Sequence, residues 1–232
     1  MSHSPDPAPR RSIEAAALAA PAAKADLRRQ YRRWRRERAV GAADPGQGPA
    51  GCPGAESRSG GPAQAGGTVL AAALRELPAL LGPGLRLGLY WPLAGEEDLV
   101  PLAEAGFALA LPAVEGLVPP ARMVYRPWRP GEPLAADGCG IAAPLASCGN
   151  LPPAALGLLL APTLAFDPIS GIRLGQGGGW YDRLRADPAW AAVPALAVVP
   201  AACLRRGLPQ DPWDVPFPGW LDEEGIHRLP LL

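Results

Sequence analysis

The run from Arg173 to Arg183, Arg-Leu-Gly-Gln-Gly-Gly-Gly-Trp-Tyr-Asp-Arg, constrains this chain more than any other stretch. Apolar residues 156–166 precede it and predict a buried strand over 156–160, and Tyr181-Asp182-Arg183-Leu184 reads as the start of a helix. In a glycine-rich turn that opens a helix, backbone N–H groups can converge on an anion, and the helix dipole adds to the attraction. The reading from these residues is a phosphate cradle. A plain structural turn would use the same glycines, but it has no need of Arg173, Tyr181, Asp182 and Arg183, and these favour the cradle.

Three familiar phosphate loops do not fit. Walker A requires Lys-Ser/Thr after its last glycine, where Trp180-Tyr181 stand. The dinucleotide fingerprint begins well at Gly175-Gln176-Gly177 but meets Trp180 where its third glycine belongs, and it lies late in the chain. A kinase loop would need a later catalytic Asp and Asn set, which is absent. The loop is therefore of another kind.

The surrounding pattern alternates short strands and helices. Strands are expected at 85–90, at 107–111 (ended by Pro112), at 156–160 and at 195–199, with 122–128 extended and antiparallel. Helices are expected at 22–40, 68–81 and 99–105, and a turn or short helix at 201–208. In the first helix Leu27, Tyr31 and Trp34 form an apolar stripe beside a basic one of Lys24, Arg28, Arg32 and Arg35. In the second, Leu70, Leu74, Leu77 and Leu81 share a side, and Pro78 can shorten the helix. This pattern predicts a single α/β domain: a three-layer, Rossmann-like open sheet, mostly parallel, flanked by helices, with ligands at the carboxyl ends of its strands. Residues 1–21 form an N-terminal arm, expected to be partly disordered, and 22–232 the domain. Nearly half of residues 41–67 are Gly or Pro, too little apolar surface to offset ordering, so this segment is expected to be a flexible insertion.

Composition excludes several functions. The net charge is +0, so nothing pulls the whole chain towards nucleic acid or an anionic membrane. The four cysteines form no Cys-x-x-Cys pair and the histidines are only His3 and His227, which argues against a zinc site and a disulfide scaffold. No apolar run is long enough to span a bilayer. A cytoplasmic protein is expected, monomeric, with no nucleic-acid or membrane partner.

Leu164-Ala165-Phe166-Asp167 followed by Gly171-Ile172-Arg173 and the run to Arg183 resembles the signature of the 5-formyltetrahydrofolate cyclo-ligase (methenyltetrahydrofolate synthetase) family, a-F-D-x-x-G-x-R-L-G-x-G-G-G-[FYW]-Y-D-R. Lys24-Ala25-Asp26-Leu27-Arg28 is similar to that family's K-x-x-L-R helix, and Gly95-Glu96-Glu97-Asp98 with Pro101-Leu102 to its G-E-x-D-T-x-P-L segment. Leu111-Pro112, Gly140 to Pro144, Leu208-Pro209 and Trp213-Asp214-Val215-Pro216 resemble later family steps in the same order. The sequence departs from the pattern at Leu99, Ala143, Gly157, Cys203 and Asp222.

The resemblance implies an ATP- and Mg²⁺-dependent conversion of 5-formyltetrahydrofolate to 5,10-methenyltetrahydrofolate, releasing ADP and phosphate. It implies ATP contacts from Lys24, Ala25, Asp26, Leu27, Arg28 and from Arg173, Leu174, Gly175, Gln176, Gly177, Gly178, Gly179, Trp180 and Tyr181, with Lys24 and Arg173 catalytic. It implies folate contacts from Trp91, Glu96 and Gln176 to Trp180, and Mg²⁺ held by Asp182 and Asp214, since Mg²⁺ prefers carboxylate, water and phosphate oxygens. Residues alone leave other roles open: a helix N-cap for Asp182, an Asp-turn for Asp214, a surface carboxylate for Glu96. A nucleotide- or folate-binding relative without turnover is the alternative that the departures suggest. A nucleic-acid-binding role for the basic helix would leave the glycine loop unexplained.

Overall fold

The computed structural model describes residues 23–37, 67–116 and 121–230. The expected arm at 1–21 and the insertion up to residue 66 lie outside the described residues. Helix α1 covers 23–37, followed by α2 (Val69–Glu76), α3 (Trp180–Arg185) and α4 (Pro188–Ala191). The strands are β1 (Arg86–Gly88), β2 (Leu109–Glu115), β3 (Arg122–Trp128), β4 (Leu134–Ala136), β5 (Ala142–Pro144), β6 (Leu156–Pro162), β7 (Ala165–Phe166), β8 (Arg173–Leu174), β9 (Ala195–Val198), β10 (Gly219–Leu221) and β11 (Ile226–Arg228).

The main sheet has seven strands in the order β11-β10-β9-β6-β1-β2-β3. The pairs β10–β9, β9–β6, β6–β1 and β1–β2 are parallel, and antiparallel β3 and β11 close the two edges. From β1 the chain first moves outward to β2 and β3, then returns to β6 on the other side of β1 and moves outward to β9 and β10. The order thus reverses between β1 and β6, and in open α/β sheets a crevice forms at the carboxyl ends of such strands. The expected mostly parallel, helix-flanked sheet is present.

A parallel sheet covered on both faces sorts alternate residues into two cores. One contains Leu87, Leu89, Leu109, Leu111, Leu158 and Leu160 with Val69, Ala72 and Ala73 of α2. The other contains Ala110, Ala161, Ala195 and Ala197 with Leu27, Tyr31 and Trp34 of α1 and the rings of Tyr125, Phe166 and Phe217.

Several elements differ from expectation. The helix at 68–81 begins on Thr68, whose side chain accepts from Ala71 N, but α2 ends at Glu76 and a 3₁₀ turn (Leu77–Ala79) follows around Pro78. The buried residues of this stretch are Val69, Ala72, Ala73 and Leu77; of the expected leucine side Leu77 is fully buried, Leu70 and Leu81 are partly buried against the same core, and Leu74 is exposed. Small alanines let the helix approach the leucines of the sheet, so leucines are not needed on both sides of that contact. The expected helix at 99–105 is a 3₁₀ turn, Val100–Ala103. Strand β2 continues through Pro112. Ala110 O accepts from Leu89 N, so the Pro112 nitrogen, two residues on, faces the same side, where β1 has ended at Gly88 and no ladder bond is lost. Strands β10 and β11 were not expected in the Pro- and Trp-rich tail.

Candidate active site

The glycine loop follows the β7–β8 hairpin, in which Ala165 pairs with Leu174 and Phe166 with Arg173. Asp167 pins this hairpin: Oδ1 accepts from Ile169 N at 2.9 Å and Oδ2 from Gly207 N at 2.9 Å. The glycines serve two needs. Gly177 and Gly179 have φ of 109° and 63°, which side-chain-bearing residues rarely adopt. At Gly175 a Cβ would lie 2.5 Å from Arg173 Nη1, and at Gly178 2.7 Å from Trp180 Cδ1, so these two give space. Gly179 also caps α3, so Asp182 sits in the first turn without capping it.

Three guanidiniums hold the loop's carbonyls. Arg28 Nε donates to Gly175 O at 3.0 Å, Arg32 Nη2 to Gln176 O at 2.6 Å and Arg183 Nη2 to Gly178 O at 2.7 Å. Because the peptide unit is planar and trans, the N–H groups of Gln176, Gly177 and Gly179 point the opposite way from those carbonyls. Arg183 also lies 4.2 Å over the Trp180 ring.

The cleft beside this loop is lined by residues from distant segments. Lys24 and Arg28 come from α1, Tyr90, Trp91 and Glu96 from the loop after β1, Pro162 from the end of β6, and Asp211, Trp213 and Asp214 from the segment before β10. Arg173, Gly175 to Gly179, Trp180, Tyr181 and Asp182 also line it, with Pro112, Val114, Met123, Asp137 and Ile141 from β2, β3 and the β4–β5 turn. It lies at the carboxyl ends of β1 and β6, where the strand order reverses. Of the residues implicated by sequence, Ala25, Asp26, Leu27 and Leu174 are not among its lining: Leu27 and Leu174 are core residues, and Asp26 is exposed and ion-paired with Arg29.

Charges in the cleft are arranged in opposite pairs. Lys24 is 3% exposed, and its Nζ donates to Asp211 Oδ2 at 2.6 Å and to Asp214 Oδ2. Asp214 Oδ2 also accepts from Asp211 N at 2.7 Å, a bond back to the residue three before it rather than the forward Asp-turn towards Pro216. Arg173 Nη2 donates to Asp182 Oδ2 at 2.8 Å, and its guanidinium lies 5.1 Å from the Tyr181 ring and 5.3 Å from Phe217. Arg185 lies on the same Phe217 ring at 4.5 Å. Burial, then repulsion from Arg173, lowers the Arg185 pKa, while Asp182 opposes the shift. Burial, then Arg32, lowers the Arg28 pKa, with Asp211 and Asp214 opposing. An anion would relieve such crowding of cations.

Glu96 is more than a surface carboxylate. Its Oε1 accepts from Gln176 Nε2 at 2.9 Å and its Oε2 from Leu93 N at 3.0 Å. Trp91 stands edge-on to Trp128 with centroids 5.8 Å apart. Burial, and then Glu96 and Glu97, push the Tyr90 hydroxyl pKa up, and that hydroxyl donates to Glu97 O at 2.7 Å.

Asp182 and Asp214 both line the cleft, and Asp182 Oδ1 accepts from Val215 N at 3.4 Å, one residue beyond Asp214. Two hard carboxylates facing one cleft fit Mg²⁺, which binds through one or two carboxylates plus substrate phosphates rather than an all-protein cage. Asp222, Glu224 and His227 also lie close together, but Asp222 accepts from Trp220 Nε1 and from the amides of Glu224 and Gly225, a structural role in the β10–β11 turn.

Sequence reasoning missed Asp211 and Trp213. The signal was present: Asp211 stands three residues before Asp214, flanking the same Pro-Trp pair. None of the positions that depart from the family pattern lines the cleft. Leu99, Ala143 and Cys203 are buried, and at Gly157 a Cβ would meet Leu81 Cδ1 at 2.8 Å.

The model of the 5-formyltetrahydrofolate cyclo-ligase family matches residues 97–219, which include the glycine loop, Asp182 and Asp214. The 5-formyltetrahydrofolate cyclo-ligases of Escherichia coli strains K12 and O157:H7 are each 30% identical over 129 residues, 53% of this chain and 70% of each relative. The solved 5,10-methenyltetrahydrofolate synthetase of Aquifex aeolicus superposes with a TM-score of 0.54 at 28% identity, covering 71% of this chain and 82% of that one. Lys24, Arg28, Trp91 and Glu96 lie before the span matched by the family model, and the fold brings them to the same cleft. In matched sequence, fold and composition of the cleft, this chain belongs to the 5-formyltetrahydrofolate cyclo-ligase family of enzymes.

Proposed function

We propose that this protein converts 5-formyltetrahydrofolate to 5,10-methenyltetrahydrofolate, using ATP with Mg²⁺. The formyl oxygen attacks the γ-phosphorus of ATP and ADP leaves. The substrate's N10 nitrogen then attacks the activated formyl carbon, loses its proton, and phosphate departs as the ring closes. No protein nucleophile is required, and positioning together with charge stabilisation carries the catalysis.

The observation that supports this most is the meeting of two kinds of surface in one cleft. Lys24, Arg28 and Arg173 line it beside the glycine loop, and Trp91, Glu96 and Trp180 line it with rings and a carboxylate. Lys24 and Arg173 would neutralise the phosphates and the charge developing on the transferring group. The loop's amides, opposed to carbonyls that arginines hold, would take phosphate oxygens. Glu96 would accept hydrogen bonds from the polar edge of the pterin, with the Trp91 and Trp180 rings against its faces. Asp182 and Asp214 would hold Mg²⁺, which when bound neutralises phosphate charge. Arg173 donates to Asp182 and Lys24 to Asp214, which orients these carboxylates.

The test is direct. The protein mixed with 5-formyltetrahydrofolate and Mg·ATP should generate the near-ultraviolet absorbance of methenyltetrahydrofolate, and omitting ATP should abolish it. Absence of product at high protein concentration would sink the reading, and folate binding without turnover would favour a binding relative.

A further inference from the structure

Arg32 does not line the cleft and is exposed on α1, one turn beyond Arg28. It nonetheless holds Gln176 at two points: Nε donates to the side-chain Oε1 at 2.8 Å and Nη2 to the backbone O at 2.6 Å. Arginine has only donors and an ionised carboxylate only acceptors, so a single amide orientation satisfies both neighbours of Gln176. With Oε1 turned to Arg32, the amide nitrogen faces Glu96 and donates to its Oε1 at 2.9 Å. The other Glu96 oxygen accepts from Leu93 N at 3.0 Å. One line of donors and acceptors thus runs from α1 across the glycine loop to the loop after β1.

We propose that Arg32 is a positioning residue for the folate: by fixing the Gln176 amide it sets the direction of the Glu96 carboxylate, and so the affinity for the pterin edge, without touching substrate. The proposal rests on the reading of Glu96 as a folate contact. A guanidinium suits the task because its planar fork reaches two acceptors at once, which an ammonium does with less definition.

Calorimetric titration of 5-formyltetrahydrofolate without nucleotide, on the wild type, Arg32→Ala, Glu96→Ala and the double variant, tests it. Arg32→Ala should weaken folate binding roughly 3- to 10-fold, as expected for one coupled contact. Arg32→Lys should fall between it and the wild type. The double variant should lose clearly less than the two single losses combined, because Arg32 acts on the Glu96 carboxylate through Gln176. Fully additive losses would overturn the proposal. A wild type that binds folate while Arg32→Ala binds equally well also overturns it and leaves the proposed function standing. A wild type that binds no folate removes both.

Discussion

The two faces of the central sheet are built from the same strands and are chemically unlike. On one, Leu87, Leu89, Leu109, Leu111, Leu158 and Leu160 meet α2 in a leucine-rich core that also takes in Tyr90 and Trp128. On the other, the strands present Gly88, Ala110, Ala161, Ala195 and Ala197 to aromatic rings and to α1, whose Lys24 and Arg35 are buried. The first face supplies mostly apolar burial. The second has small residues on the sheet so that large rings and long cationic side chains can approach, and those side chains reach the cleft or its supports. Arg35, for instance, donates to Gly95 O at 3.2 Å and to the carbonyl of Thr163, tying the loop that carries Glu96 to the end of β6. The period of two thus puts the buried cations on one side of the sheet, while Tyr90 and Trp91 reach the cleft from the core on the other.

Substitutions can break this contrast. The largest effect is expected at Lys24. Lys24→Met leaves buried Asp211 and half-buried Asp214 without their cation and should cost about 3–5 kcal/mol in denaturant unfolding, besides abolishing ATP-dependent turnover. Adding Asp211→Asn should restore part of the stability and none of the activity. On the leucine-rich face, Leu160→Ala should lower stability by about 3 kcal/mol through the cavity it leaves, while KM for both substrates stays at the wild-type value in the folded fraction. A shift in KM would show that the faces are not independent. Gly88→Ala tests the need for small residues. Its Cβ would lie 2.4 Å from Leu159 Cδ2 and 2.7 Å from Leu156 Cδ2, so overpacking should cost about 1–3 kcal/mol in thermal or denaturant melts.

The smallest effect belongs to the sheet edge, outside both cores. Hydrogen bonds from Asn150 and then Arg126 hold the Glu115 carboxyl at about 2, below its ordinary value of 4.5. The folded-state pKa is depressed, so this contribution is complete above pH 4.5 and is lost as pH falls towards about 2. Glu115→Gln should therefore lower the melting temperature slightly at neutral pH, and the gap to the wild type should close across that acidic window.

Much of the second face was legible before any coordinates. Leu27, Tyr31 and Trp34 recur at helical spacing and are all buried, and 122–128 is the antiparallel strand expected. The glycine loop announces its place because its glycines answer local steric needs. Other features carried little local signal. Strands β10 and β11 are three residues each, too short for periodicity to show, and exist through their pairing with β9 and with each other. The leucines of 68–81 gave the buried side only in part: Leu77 is buried but Leu74 is exposed, and closeness to a leucine-lined sheet favoured Ala72 and Ala73 beside it. A basic stripe on a helix reads as solvated, yet Lys24 and Arg35 are buried while Arg32 of the same stripe is exposed.

By itself the sequence determined what is decided within a few residues: the left-handed turns at Gly177 and Gly179, the start of α3, and the set of side chains that α1 presents on one face. Tertiary structure alone decided the partners. Lys24 meets Asp211 and Asp214 across 187 and 190 residues, and Gln176 meets Glu96 across 80. A contact between such separated segments has no local pattern to betray it. It exists because the strand order reverses between β1 and β6 and brings α1, the glycine loop and the loop after β1 to one crevice.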